Sequence, residues 1–218
     1  MTGSVAVPEH VRGNPDAPVT VVEYGDYECP YCAAAAPVLR QLVGESDGQV
    51  RLVFRNFPLA EPHPFALTAA LAAEAAGAQG EFWPMHDLLF TKQDRLEDVA
   101  LSAYADRLGL DGSLVVGPAA QRFADKVEAD FAAGLEAGVS GTPTLFVNGE
   151  LYAGRTEIGA LQRAVADAAS AAAGSAPGDG RDPGPRWQRR WPFGVRRAER
   201  EPLAEDAQQD DAGQRRGE

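Results

Sequence analysis

The sequence predicts an α/β protein: a layer of strands interrupted by a long helical insertion that forms a lid. Three observations carry this expectation. A β-branched run, Val19 to Val22, is followed within ten residues by an Ala-rich helical pattern. A strong hairpin signal, Asn148-Gly149, stands far downstream between two short apolar runs. Between these lies a block of helical periodicity, about residues 62–137. With 218 residues, 44% of them apolar, the chain has the material to bury a core without covalent staples.

The elements follow in order. Residues 1–14 read as a flexible N-terminal segment, and residues 15–173 as the folded domain. The run "PVTVVEYGDYE" begins with a buried strand. "AAAAPVLRQLVG" carries Val38, Leu39, Leu42 and Val43 at helical spacing and stops at Gly44. "VRLVFRNFPL", residues 50–59, alternates as a second core strand. The insertion is divided by Gly, Pro and Asp into "HPFALTAALAAEAAGA", "EFWPMHDLLF", "EDVALSAYADRLGL" and "GPAAQRFADKVEADFAAGLEAGV". Thr144 to Val147 and Glu150 to Ala153 form the hairpin. "TEIGALQRAVADAASAAA" is a final helix with Thr156 as its N-cap. From residue 174 to 218 the chain turns rich in Gly, Pro, Arg and acids with little apolar content. It reads as a disordered tail, because it cannot bury enough surface to offset ordering entropy.

Both cysteines of the chain, Cys29 and Cys32, stand three positions apart in "CPYC". A structural disulfide here would close so short a loop that it restricts the unfolded chain very little. Zinc commonly takes four Cys or His ligands. The three histidines, His10, His63 and His86, are not spaced to complete such a set. A redox pair fits the context best. The pair sits at a strand-to-helix junction, with Cys29 at the helix N-terminus, where unpaired N–H groups and the helix dipole favour a thiolate. Pro30 suits the first helical turn, which does not need its N–H. Cys32, nearly one turn on, is expected to be the more buried thiol. Thr142-Pro143 precedes the hairpin's first strand, a place where a proline needs a positional reason. A trans proline at a strand start and a cis peptide both fit.

Taken together, "VVEYGDYECPYC", "GTPTLFVNG" and the helical insertion resemble the thioredoxin superfamily, and within it the bacterial DsbA-like thiol-disulfide oxidoreductases. The resemblance covers about residues 10–170. It implies a thioredoxin-like fold with a helical insertion domain, and thiol-disulfide exchange without organic cofactor or metal. It implies that Cys29 attacks and Cys32 resolves. Pro143 would be cis, with Thr142 offering its backbone to a bound peptide beside Pro30 and Tyr31. Glu23 matches the semi-buried acid that relays a proton to the resolving thiol; a carboxylate buried in an apolar strand has its pKa raised toward neutrality. Tyr31 departs from the His of the typical DsbA enzyme and is similar to the glutaredoxin dipeptide, which argues against strongly oxidising behaviour. Asp26 and Glu28 read as solvated loop acids.

Other residues have plainer readings. Trp83, Met85 and His86 read as lid core, and His63, between two prolines, as a cap or turn residue. Arg51, Arg55 and Arg155 suit anionic groups such as a glutathione carboxylate, but solvated or salt-bridged roles are favoured. The first 175 residues carry the whole formal charge of −12, so nucleic acid is not an expected partner. In the tail, "RWQRRWPFGVRR", residues 186–197, joins five arginines to Trp187, Trp191 and Phe193. It fits an acidic partner or a membrane surface, or is simply a solvated cluster. The opening residues show neither the basic nor the apolar region of a signal peptide, and no run approaches the about 20 apolar residues of a membrane span. The expected location is the cytoplasm, or outside it if the chain is a processed form. Disulfide-containing proteins or small thiols such as glutathione are the expected substrates. Two alternatives remain: a redox-sensing or partner-binding module without turnover, and a glutathione-dependent isomerase or transferase on the same fold.

Overall fold

Residues 9–174 are described by the computed structural model of the chain. The expected tail, with its 186–197 segment, and the first eight residues lie outside the described residues. Five strands form one sheet in the order β1-β3-β2-β4-β5. They are β1 (His10–Gly13), β2 (Val19–Gly25), β3 (Val50–Asn56), β4 (Thr144–Val147) and β5 (Glu150–Leu151). Strands β2 and β3 are parallel, joined by helix α1 (Pro30–Gly44); all other neighbours are antiparallel. Part of the segment expected to be flexible is therefore ordered. His10 to Gly13 pair with Phe54 to Arg51, because an edge of β3 would otherwise face water with its backbone unpaired.

Period-two alternation divides the central strands between two faces. Val19 and Val21 on β2, Val50 and Leu52 on β3, and Leu145 and Val147 on β4 pack with Ala35, Leu39 and Leu42 of α1 and Leu161 of α7 (Ile158–Gly174). Glu23, two residues beyond Val21, continues this parity and is fully buried. Tyr24 takes the opposite parity, against Phe57 and Phe146. The hairpin turns as its residues require: Asn148 and Gly149 both adopt positive φ, 48° and 85°, the conformation of a type I′ turn. Helix α7 begins two residues after the expected Thr156 cap. The Glu157 carbonyl, not that of Thr156, accepts the first helical N–H groups, from Ala160 and Leu161.

The insertion comprises α2 (Ala66–Gly77), α3 (Phe82–Thr91), α4 (Asp98–Arg107), a short 3-10 turn at Gly112–Leu114, α5 (Gly117–Gln121) and α6 (Ala124–Glu136). Helix α2 is buried along nearly its whole length, Ala69 to Ala76 without a break. Its alanines let the other helices close around it on every side. Among them sits a buried carboxylate, Glu74, which accepts from Asn56 Nδ2 at 2.6 Å and pairs with His10 Nε2 at 2.8 Å. Asp130 of α6, also buried, accepts from Arg55 at 2.9 Å and from the Asn56 backbone N–H at 3.2 Å. Lys126 lies against both acids. This network ties α2 and α6 to β3 and β1, and each buried charge meets an opposite one, as burial demands.

Helix α6 approaches the sheet closely at Gly134, where an added Cβ would stand 2.7 Å from the Phe57 ring and 3.0 Å from Tyr24. Gly134→Ala, normally favourable in a helix interior, should here destabilise the protein by about 1–3 kcal/mol, measured as a lower denaturation midpoint. An unchanged or higher midpoint would mean that the ring and helix separate freely.

Candidate active site

The strand β2 to helix α1 junction sets the site. Cys29 occupies the N-cap position of α1 in an extended conformation, φ −75° and ψ 121°, with Pro30 in the first turn. Its backbone N–H donates to the Asp26 carbonyl at 3.1 Å, and its own carbonyl accepts from Ala33 N–H at 3.1 Å. Both cysteines are free thiols, and both are buried, Cys29 at 3% exposure and Cys32 at 0%.

The two sulfurs differ in acidity. A hydrogen bond from the Cys32 thiol is the largest cause that brings Cys29 down from 9.0 to about 5. Burial opposes it, and the Thr142 hydroxyl and the N–H groups of Cys32 and Tyr31 reinforce it. That hydroxyl is buried and stands within hydrogen-bonding geometry of no partner. As a neutral thiol, Cys29 donates to the Thr142 carbonyl at 3.3 Å. Cys32 moves the other way: burial, its hydrogen bond to Cys29 and the charge of Glu23 push its thiol far above the ordinary range. Helix-end donors at one sulfur and enclosure of the other explain the division.

Glu23 lies beneath this pair. Burial first, and the negative charge of Cys29 second, raise its pKa from 4.5 to about 8. Both of its carboxyl oxygens are enclosed without a hydrogen-bond partner, so nothing nearby stabilises the charged form except the distant Arg12.

The Thr142–Pro143 peptide bond is cis and brings Thr142 against Cys29. Tyr31 is 74% exposed beside the site. The structure thus brings Cys29, Cys32, Glu23, Thr142, Pro143, Pro30 and Tyr31 into one place. Other residues stand elsewhere. Arg55 is engaged with Asp130 and Glu9, Arg51 donates to Thr20 Oγ1 and the Pro15 carbonyl, and Arg155 pairs with Glu157 on the surface. His86 is buried in the lid, 3.2 Å from the Tyr27 hydroxyl and ringed by Phe54, Trp83 and Phe90. Its low-dielectric surroundings hold it neutral, with its pKa well below 6.5.

Asp26 is a correction: it is 1% exposed rather than solvated. Its carboxylate accepts from the N–H groups of Glu28 and Leu59 and pairs with His63 Nδ1, each at 2.8 Å. It therefore lashes the loop before Cys29 to the loop after β3. Glu28 also binds inward, accepting the Phe65 N–H at 2.6 Å. Apart from the Glu28 N–H, two residues on, the partners lie more than thirty residues away, so the sequence offered little local sign of these roles.

Comparison with known proteins follows the same lines. The family model described as thioredoxin matches residues 6–167. The chain is 48% identical over 176 residues to the Na(+)/H(+) antiporter NhaA 3 of Salinispora tropica, covering 80% of this chain and 27% of that protein. It spans about a quarter of the length of the curated relatives it matches. Among solved structures it resembles oxidised BdbD from Bacillus subtilis, at 26% identity and a TM-score of 0.67, covering 74% of this chain and 93% of that one. It also resembles a thioredoxin-like oxidoreductase from Silicibacter pomeroyi DSS-3, at 32% identity and a TM-score of 0.64, covering 77% and 94%. On the family-model match over most of the chain and these structural likenesses, the chain belongs to the thioredoxin superfamily and falls with its DsbA-like thiol-disulfide oxidoreductases.

Proposed function

We propose that the protein exchanges disulfides with protein or small-thiol substrates through Cys29 and Cys32. The observation that carries this reading is the opposed acidity of two adjacent thiols, one near 5 and one far above the ordinary range. At neutral pH Cys29 is a thiolate, the form that attacks a disulfide. Attack joins Cys29 Sγ to one substrate sulfur and releases the other as a thiolate. The mixed disulfide then yields to Cys32, which must first lose its proton. Loss of the Cys29 charge on forming the mixed disulfide removes one of the two causes that raise Glu23. Glu23 then favours its carboxylate form, and this is the form that accepts the Cys32 proton. These steps leave Cys29 and Cys32 joined as a disulfide and the substrate reduced; run backwards, they reduce the pair and oxidise a substrate dithiol, the direction being set by the two reduction potentials. Thr142 and the cis Pro143 supply the wall against which a substrate chain lies, with Pro30 and exposed Tyr31 at its rim.

The asymmetry is tested by two serine variants. Cys29→Ser should form no covalent adduct. Cys32→Ser should accumulate mixed disulfides, seen as higher-mass bands on a non-reducing gel that vanish with dithiothreitol. Equal behaviour of the two would remove the basis of the proposal. A reading as a redox sensor without turnover predicts instead a folded, redox-dependent complex and no multiple turnovers.

The potential of the pair follows from the acidity of Cys29. Moving the attacking thiol from about 7, where thioredoxin has it, to about 5 favours the reduced form roughly 50-fold at neutral pH. At ~30 mV per tenfold this adds ~50 mV to thioredoxin's about −270 mV, so equilibration with glutathione should give about −220 mV. A value above about −150 mV would contradict it.

Glu23 carries a pH signature. Its folded pKa exceeds its unfolded one, so the folded state holds the extra proton between 4.5 and about 8. Its contribution is intact below that window and is lost as pH rises through it. In the oxidised protein, where Cys29 cannot ionise and burial alone raises Glu23, Glu23→Gln should remove this loss and raise stability at pH 8 by a smaller amount than the full shift implies, on the order of 2–3 kcal/mol. Parallel melting curves for the two proteins from pH 5 to 8 would show that Glu23 is ionised without cost.

A further inference from the structure

Gln93 lies in the loop between α3 and α4, well outside the cysteine motif. Its side-chain amide nitrogen donates to two backbone carbonyls of the junction, Tyr27 at 2.8 Å and Cys29 at 2.7 Å. One amide group has two N–H hydrogens, and both are used here on carbonyls two residues apart.

The Cys29 carbonyl is an unusual one to hold. The next residue is Pro30, which has no N–H, so the Cys29–Pro30 peptide can be fixed only through its oxygen. That oxygen already accepts the first helical bond, from Ala33 N–H. Gln93 takes its second lone pair. The Cys29 N–H is held by Asp26. The backbone on both sides of the attacking sulfur is therefore fully bonded, and the extended conformation that turns Sγ toward the N–H groups of Tyr31 and Cys32 is maintained. The donated hydrogens also offset the negative ends of two carbonyl dipoles close to where the sulfur charge forms.

We propose that Gln93 is a positioning residue for the attacking sulfur, fixing the Cys29–Pro30 peptide from the insertion and shielding the thiolate from its own backbone carbonyls. It does not touch substrate; it acts through the main chain of Cys29. The proposal deepens the thiol-disulfide reading of the site and rests on it.

The test measures thiolate formation directly, separate from turnover. The reduced wild-type protein, Gln93→Ala and the near-isosteric non-donor Gln93→Met are alkylated with iodoacetamide across pH 4 to 9, with circular dichroism and melting to establish folding. Both variants should remain folded, shift the Cys29 alkylation midpoint upward and react about tenfold more slowly at pH 6. Gln93→Glu, which keeps the shape but presents an ionised acceptor to both carbonyls, should shift it at least as far. A folded variant with an unchanged midpoint would overturn the positioning role, whatever its melting temperature. A wild-type Cys29 that fails to react below pH 7 would overturn the reading of the site itself.

Discussion

The placement of two neighbouring sulfurs, Cys29 at the end of a helix and Cys32 sealed inside its first turn, is the constraint on which this site depends. That placement needs β2 in the middle of the sheet, flanked by β3 and β4, so that the chain leaves the core at a fixed point and angle. It also needs Glu23 to arrive on the α1 face, which the period of the strand determines from Val19 and Val21. The sheet is therefore more than a scaffold. Its register decides which carboxylate stands under which thiol.

The helical insertion holds that junction from outside. Asp26 reaches Leu59 and His63, Glu28 reaches Phe65, and Gln93 reaches back to Tyr27 and Cys29. The insertion is fastened to the sheet in turn by the Glu74, Asn56, Asp130 and Lys126 cluster. Breaking one member of such a cluster leaves a buried charge unpaired, which is far costlier than losing a surface pair. Rigidity at the cysteines is thus built from polar contacts spread over more than a hundred residues.

The strand-helix junction, the hairpin and the insertion were legible in the sequence because each rests on local chemistry. β-Branched runs, Pro at a first turn and Asn-Gly at a turn act within a few residues of themselves. Glu23 was legible too, as an acid in an otherwise apolar strand. The polar clamps were not, because Asp26 and Gln93 look like any loop residue until their partners are known. Glu74 carried a faint sign, standing alone among alanines that must be buried. Strand β1 was missed because its four residues, His10 to Gly13, alternate no apolar pattern and gain order only by pairing with β3. The cap of α7 was misplaced by one residue, since Thr156 is a good cap by type and Glu157 took the position.

Trp83 shows what the insertion does for the rest of the surface. Its indole N–H donates to the Val11 carbonyl at 2.9 Å, on the outer strand of the sheet. Arg12 lies over the same ring, 4.4 Å from its centre, and pairs with Asp87. At the opposite margin, β5 is only two residues long. Neither border of the sheet offers a long row of bare amides and carbonyls to a passing chain. Under the proposed disulfide exchange, a polypeptide held through a sulfur bond would meet no template for a β-aggregate here and would leave when the bond is broken.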